Sequence, residues 1–448
     1  MVKYDNGGAK GLGMAGTDVV ELCSDLIRID TTNHGDEDTV GERKAAEFVA
    51  EVLSSAGVDS RIYEAVPGRA NLIARLPGQD SSLPALLLQG HLDVVPAEPS
   101  EWTLPPFSGE VRDGQLWGRG AVDMKCFLAM ALSVVRSFAA SGTRPRRDIV
   151  LAFVADEEDR GELGAQWLAR HHRPLFDDCA AAISETGGYT FHTPDSQGRD
   201  VRLYPVGTAE RGTAHLRLTA RGRAGHGSRR NDENAVIRLV AALYRLATHE
   251  WPVTLTPTVR TFLRRAGDAL GVRVEQSDID GTLHRLGPAA ALAETTVRNS
   301  TTPTMLEAGY KVNVIPGEAT ALVDTRVLPG TEADLLSEID KLLGPHIERE
   351  FVSKSPPVQA SLDSPWFAAM ADALRSEDPE AVVVPFCMGG GTDAKAFTPL
   401  GIECYGFDPL WLPKGFPYAA MAHGVDERVP VEGLRFGARV LDHFLRNC

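Results

Sequence analysis

The chain has no CxxC pair among its six cysteines, no apolar run near the roughly eighteen residues that cross a bilayer, and fewer basic than acidic residues. Each shortage excludes something. Cys23, Cys126, Cys179, Cys387, Cys404 and Cys448 lie far apart, which suits a reducing compartment better than a disulfide framework or a thiolate metal site. Residues 1–16 lack the apolar core of a signal peptide, so a cytoplasmic protein with no membrane partner is expected. With 46 Lys+Arg against 61 Asp+Glu the net charge is −15, which argues against a nucleic-acid partner. What is present, 448 residues of which 43% are hydrophobic and 24% charged, is the composition of an ordinary globular protein of about two domains. Disordered and fibrous classes are excluded.

The opening MVKYDNGGAKGLGMAG is Gly-rich and reads as a flexible tail over residues 1–16. It holds Gly11, Gly13 and Gly16 in the spacing GxGxxG, but no apolar strand precedes them, and a dinucleotide fingerprint needs that strand and a downstream acid. A dinucleotide-dependent enzyme is set aside on that ground. Helical periodicity follows over 17–29. A second helix is expected to open with the capping box Thr39-x-x-Glu42, to run through Phe48, Val49, Val52 and Leu53, and to stop at Gly57. Extended segments are expected at 58–64 and 71–76. The runs ALLLQ (85–89), DIVLAFVA (148–155) and AAAIS (180–184) are almost wholly apolar, as strands buried on both faces of a mostly parallel sheet must be. Helices at 124–140 and 163–171 separate them, which is an α/β pattern.

Near Val206 the texture changes. HLRLTA (215–220) alternates like a half-exposed strand, 234–248 reads as a helix, and NVIPGEATALVDTRV (313–327) holds another alternating strand. That is the pattern of a βαβ-type inserted domain. Residues 250–306, rich in Arg, Thr and Gly with weak periodicity, read as an elaborated loop region of the insert. After a helix at 332–343, the Pro-containing stretch 353–364 marks the return to the first domain. The expected division is residues 17–206 and 357–448 as one α/β domain, with residues 207–356 inserted as an α+β domain.

Chemistry concentrates just past the carboxyl ends of the buried runs, where open α/β sheets bind ligands. The first run leads into Gly90-His91-Leu92-Asp93, the second into Asp156-Glu157-Glu158, the third into Glu185. Asp123 stands at a helix start after the glycine-bracketed turn Gly118-Arg119-Gly120. An imidazole and several carboxylates at one edge repel one another unless a cation neutralises them. Histidine with carboxylates and no thiolate suits zinc, with manganese or cobalt as alternatives, and a carboxylate at a helix start can bridge two ions.

These segments, with others, resemble the co-catalytic metallopeptidases that include aminoacylase, acetylornithine deacetylase, succinyl-diaminopimelate desuccinylase, glutamate carboxypeptidase and carboxypeptidase S. The resemblance runs from about residue 17 to the end. It is carried by GHLDVVP (90–96), WGRGAVDMK (117–125), ADEED (155–159), SETGG (184–188), GRAGHGS (222–228), NVIPGEATALVDTR (313–326), GGGTDA (389–394) and AHGVDE (422–427).

The resemblance implies a zinc-peptidase-like catalytic domain with a mostly parallel central sheet, plus an inserted lid and dimerisation domain. It implies two zinc ions per subunit, with His91 and Glu185 on the first, Glu158 and His423 on the second, and Asp123 bridging both. Asp93 would orient the His91 imidazole and sustain its basicity. Glu157 would be the general base, taking a proton from water whose pKa the cations lower and passing it to the leaving amine. A histidine matching His226 would reach into the partner subunit's site and help hold the oxyanion, with Asn313 nearby, so a homodimer is expected. Arg326 and the loop Gly390-Gly391-Thr392 match positions that bind the substrate's free carboxylate through a guanidinium fork and backbone N–H groups. The glycines at 389–391 also read as a tight turn needing positive φ.

Two departures qualify the match. The family often has Ser or Thr directly after the inserted-domain histidine, whereas here Gly227 and then Ser228 follow His226. The long 250–306 region, and the stretch 296–313, resemble the carboxypeptidase S and N-acyl-amino-acid hydrolase branch. Cleavage of an N-acyl amino acid or dipeptide next to a free α-carboxylate is therefore expected, with a biosynthetic desuccinylase or deacetylase as the second reading. A non-catalytic amino-acid or peptide binder would have lost a ligand or the base, and every such position is filled.

Overall fold

The structure, a computed structural model, describes residues 15–35 and 39–448. Two helices, α1 (Ala15–Arg28) and α2 (Arg43–Ser55), precede the strands β1 (Ser60–Val66), β2 (Arg69–Leu76) and β3 (Ala85–His91). Short strands β4 (Glu110–Arg112) and β5 (Gln115–Trp117) lead to α3 (Lys125–Ser141), β6 (Ile149–Val154), α4 (Ala165–His171) and β7 (Cys179–Ser184). After β8 (Phe191–Pro194) and β9 (Asp200–Glu210) come β10 (Gly212–Arg221), β11 (Gly225–His226) and α5 (Ala235–Ala247). Then follow α6 (Pro257–Leu270), α7 (Ile279–Leu286), β12 (Ser300–Ala308), β13 (Val314–Ile315), β14 (Glu318–Val327), α8 (Glu332–Leu343) and β15 (Ile347–Ser355). The chain closes with β16 (Val358–Gln359), α9 (Pro365–Glu377), β17 (Val382–Met388), α10 (Ala394–Phe397), β18 (Glu403–Gly406), β19 (Arg428–Pro430) and α11 (Val431–Asn447). The expected tail lies outside the described residues except for Ala15 and Gly16, which open α1; Gly11 and Gly13 of the glycine spacing lie outside them too.

The large sheet runs β1-β2-β6-β3-β7-β18-β9-β16, with β17 and β8 also paired to β9. Its centre, β6-β3-β7-β18, is parallel, and its flanks pair antiparallel except for β17, which runs parallel to β9. Every residue of β3 and β6 is buried, because helices cover both faces. Period-two alternation divides the strand side chains between two cores. Leu86, Leu88 and Phe153 join Phe127 of α3, Phe367 of α9 and Leu441 of α11 on one face. Leu87, Val150 and Ala152 join Leu168 of α4 and Phe397 of α10 on the other. Burying each such large side chain contributes about 1.5–3 kcal/mol, so the strand ends are held on a rigid platform.

The small sheet, β12-β14-β10-β15, is antiparallel throughout. β14 and β15 both oppose β10 and are therefore parallel to each other, with α8 between them in sequence, which is a βαβ unit. One face alternates inward, as in Ala319, Ala321, Val323 and Val327 of β14, and meets Leu239 of α5 with Leu335 and Ile339 of α8. β16 then returns the chain to β9 of the large sheet. Among the described residues no helix is long and apolar enough to cross a membrane.

Two local expectations are corrected. Residues 250–306 are not an elaborated loop. Thr256 caps α6 by accepting from the Val259 amide at 3.3 Å, Pro257 opens the helix, and Gly271 ends it in the left-handed region at φ 68°. Val259, Phe262, Leu263, Ala266 and Leu270 of α6, with Ile279 and Leu283 of α7, pack on Leu203 and Ala209 of β9 and Val384 and Cys387 of β17. The segment thus lies on the large sheet, and arginines on its outer face diluted the apolar period. The capping box at Thr39 and Glu42 does not form either. Thr39 Oγ1 accepts from the His34 amide and donates to Asn33 Oδ1. The Glu42 carboxylate is buried and takes the Arg69 guanidinium at 2.9–3.2 Å. Burial pushes this carboxyl up to about 7, with Arg69 opposing.

Candidate metal centre

The parallel strands deliver their acids to one edge. His91 is the last residue of β3, Glu157 and Glu158 follow β6, and Glu185 follows β7. Three non-glycine residues flanking or belonging to this set, Asp156, Thr186 and His423, hold φ of 72°, 66° and 59°. Such conformations cost on the order of 1–3 kcal/mol each and cluster at functional sites.

Asp123 lies between two imidazoles. Its Oδ1 is 3.0 Å from His91 Nε2 and its Oδ2 is 3.3 Å from His423 Nε2. His91 Nε2 also faces Glu185 Oε2 at 3.9 Å, and His423 Nε2 faces Glu158 Oε2 at 2.9 Å. Ligand atoms of His91, Asp123 and Glu158 lie within 4.8 Å of one another, as do those of His91, Glu157 and Glu185. Glu158 Oε1 is buried without any hydrogen-bond partner. A buried orphan carboxylate oxygen beside two imidazoles fits a cation and has no comparable use in a packed core.

The electrostatics agree. Burial pushes the Glu157 and Glu185 carboxyls well above the usual range, and neighbouring acids add to it, Asp393 and Glu158 for the first, Glu157 and Asp123 for the second. Burial acts on Asp123 in the same direction, but hydrogen bonds from His423 and His91 outweigh it and hold that carboxyl low. Bonds to Asp123 and Glu158 push His423 up to about 10. His91 is raised despite its burial, through Asp123 and Glu185. Protons are thus drawn to positions that divalent cations would fill.

A second layer fixes these groups. The His91 Nδ1 partner is the Asp93 main-chain carbonyl, at 2.9 Å, while the nearer Asp93 carboxylate oxygen is 3.7 Å away. The Asp93 carboxylate instead accepts from the Glu157 and Glu158 amides, each at 3.2 Å, and from Asn33 Nδ2 at 2.8 Å. Asp93 therefore orients the imidazole through its backbone and the acidic turn through its side chain. Glu427, fully buried, accepts from the amides of Gly120, Val122 and Asp123 at 2.7–3.0 Å and pairs with Arg119 at 2.7 Å. It pins the loop that aims Asp123. Gln89 bonds Asp393 at 2.8 Å and Ser184 at 2.6 Å behind β3. Sequence reasoning missed Asn33, Arg69, Gln89 and Glu427 in these roles. Only Glu427 had a signal, its place in AHGVDE.

A cavity of about 500 Å³ opens from Glu157 between the large sheet and β15, lined among others by Arg326, Gly391, Thr392 and Lys395. Gly390 adjoins it in sequence. Two expected carboxylate binders are already engaged. Arg326 Nε and Nη2 bind Asp324 at 2.7 and 3.0 Å. The Thr392 amide and hydroxyl donate to buried Glu210 at 3.1 and 2.6 Å. Glycines 389–391 do not have positive φ, which corrects the tight-turn reading. His226 and Asn313 lie away from this cluster on the β11–β13 ribbon, where Gly227 N donates to Asn313 O at 2.9 Å. The exposed His226 ring bonds Ser228 Oγ at 2.9 Å and, among the described residues, no metal-site side chain.

Known proteins resemble this chain in sequence and fold. An N-fatty-acyl-amino acid synthase/hydrolase of Xenopus tropicalis is 28% identical over 96% of this chain and 85% of its own length. Aminoacylase-1 of Sus scrofa is 29% identical over 82% of this chain and 81% of its own. The crystal structure of an M20 family metallo-carboxypeptidase from Sulfolobus solfataricus superposes with a TM-score of 0.68 at 18% identity, covering 96% of this chain and 98% of that one. Residues 87–447, most of the sequence and all of the candidate ligands, match the model of peptidase family M20/M25/M40, and the chain belongs to that family.

Proposed function

We propose that this chain is a metal-dependent hydrolase that cleaves the amide bond of an N-acyl amino acid or dipeptide next to a free α-carboxylate. The observation that carries the reading is Asp123, whose two carboxylate oxygens face separate imidazoles with Glu157 beside them in the cavity wall. His91 and Glu185 would hold one zinc ion, Glu158 and His423 a second, and Asp123 both; manganese or cobalt suits the same oxygen and nitrogen donors. Bound cations supply Lewis-acid polarisation of the carbonyl and lower the pKa of water.

The remaining work falls to the protein. Glu157, which lines the cavity beside the candidate ligands, takes the proton of the attacking water and returns it to the leaving nitrogen, acting as general base and then as general acid. Asp93 holds the Glu157 amide and Glu427 the Asp123 amide, so base and bridging acid keep their spacing. His226 and Asn313 would stabilise the oxyanion from the partner subunit of a homodimer. Exposed Ile237, Val240 and Tyr244 on α5, and Met305 and Leu306 on β12, support an interface on the small sheet. Residues 207–356, apart from α6 and α7, which pack on the large sheet, would act as the lid over a catalytic unit of residues 17–206 and 357–448. Six free cysteines support a cytoplasmic location.

The test is hydrolysis of N-acetyl, long-chain N-acyl and N-succinyl amino acids and unmodified dipeptides after reconstitution with zinc, manganese or cobalt. Chelator-sensitive turnover of N-acyl amino acids or dipeptides is expected. A fully metallated protein that turns over no member would overturn the reading.

A further inference from the structure

Four cations line the cavity that opens from Glu157: Arg160, Arg326, Lys354 and Lys395. Three have an acid of their own. Arg160 pairs with Asp159 at 2.9 Å, Arg326 with Asp324 through Nε and Nη2, and Lys354 with Glu332. Lys395 makes no side-chain hydrogen bond and no ion pair among the described residues. The acid that most supports its charge is Glu210, but Thr392 already engages both Glu210 oxygens. Glu210 supports the charge from a distance, but a half-buried ammonium with no acid in direct contact is costly, and the cost is recovered when a ligand brings an anion to it.

The loop is shaped for this group. At Gly391 a Cβ would collide with Lys395 Nζ, and Cε lies 2.6 Å from the same point. Gly391 has ordinary φ, so no backbone strain requires glycine there. Glycine leaves room for the flexible end of the lysine side chain to cross the loop, which brings the ammonium to the cavity that Glu157 also lines.

We propose that Lys395 is a specificity-determining cation of the cleft, its ammonium over Gly391 binding the substrate's free carboxylate beside Arg326, whose Nε and Nη2 hold Asp324. This rests on the reading above, that the scissile amide neighbours a carboxylate, and names the residue that reads it. A lysine acts as a point charge with three rotatable donors, and so tolerates varied carboxylate orientations better than a guanidinium fork.

The experiment compares an N-acyl amino acid with its carboxamide. In metallated Glu157→Gln protein, binding of both is measured without turnover, alone and combined with Lys395→Met, Lys395→Arg or Arg326→Met. A carboxylate preference of tenfold or more is expected, abolished by Lys395→Met, largely kept by Lys395→Arg and reduced less by Arg326→Met. In the active enzyme Lys395→Met raises KM for the carboxylate tenfold or more with kcat within about threefold, the signature of lost uniform binding. Retention of the preference in Lys395→Met, with its loss in Arg326→Met, overturns the assignment to Lys395 alone. Absence of any preference in Glu157→Gln protein overturns the parent reading, and this one with it.

Discussion

The edge of the large sheet and the ribbon of the small sheet both carry residues of the proposed reaction, under opposite conditions. At the edge, His91 and Asp93 are fully buried, and the Asp93 and Glu427 carboxylates accept from the amides of the turns that carry Glu157, Glu158 and Asp123 and hold those turns fixed. On the ribbon, His226 is exposed, and among the described residues its ring bonds only Ser228, two residues away. Fixed donors spare the edge any reorganisation when a cation arrives, so its geometry is set by folding. On the proposed reading the ribbon side chains would meet the reacting carbonyl only when another surface approaches. The metal and base chemistry would then be built into one region, and the oxyanion contact completed by the other.

The largest separation between the regions is expected from Asp123→Ala. Loss of the acid between both imidazoles should remove tightly held metal and lower turnover by on the order of 10³-fold, the several kcal/mol that bound cations contribute. Metal analysis after dialysis, with rates, checks it; retained metal would deny Asp123 its bridging place. Glu427→Ala tests the layer behind. It leaves Arg119 buried without its acid and strips an acceptor from three amides, so about 3–5 kcal/mol of stability should be lost in denaturant titrations. Metal affinity should fall roughly 10–100-fold. A change below about 1 kcal/mol would show that the loop holds itself.

On the ribbon the ranking should reverse. His226→Ala should change stability by no more than about 0.5 kcal/mol, as exposed substitutions do, yet reduce kcat on the order of 10²-fold through the lost oxyanion contact. Mixing it with Glu157→Gln chains should restore part of the activity. Failure to recover, with subunit exchange demonstrated, would remove His226 from the partner's site.

A smaller effect concerns pH. In the metal-free protein His423 is raised to about 10 by Asp123 and Glu158, so below that pH it holds a proton that a cation must displace. Metal binding should therefore release protons, and affinity should climb about tenfold per pH unit for each proton displaced, falling as the solution is acidified. Titration of apo-protein with zinc in weak buffer reads this directly. Absence of proton release near neutrality would mean that His423 is not a ligand.

The two regions also differed in how far they could be read from sequence. His91, Glu157, Glu158 and Glu185 were legible because each closes a wholly apolar run, and strand ends in an open α/β sheet carry ligands. His423 and Glu427 follow no such run and were approached only through the resemblance of AHGVDE. Helices α6 and α7 escaped because Arg260, Arg264 and Arg265 interrupt a short apolar stripe, and only packing on β9 and β17 reveals it. The engagement of Thr392 by Glu210 joins positions 182 residues apart, and motif spacing carries no trace of such a contact. Glycines 389–391 suggested positive φ by residue type, but none has it, and at Gly391 the flexible end of Lys395 occupies the space a Cβ would take.

Glu157 is the sharpest point of the account, because its oxygen also lies within 4.8 Å of His91 and Glu185 ligand atoms and could have served as a ligand itself. Metal content and turnover measured side by side on Glu157→Gln decide between the two roles. The account predicts metal content equal to that of the unmodified chain and turnover reduced by roughly 10²–10⁴-fold, the contribution of a general base. Loss of metal along with activity, or turnover close to that of the unmodified chain, would contradict it.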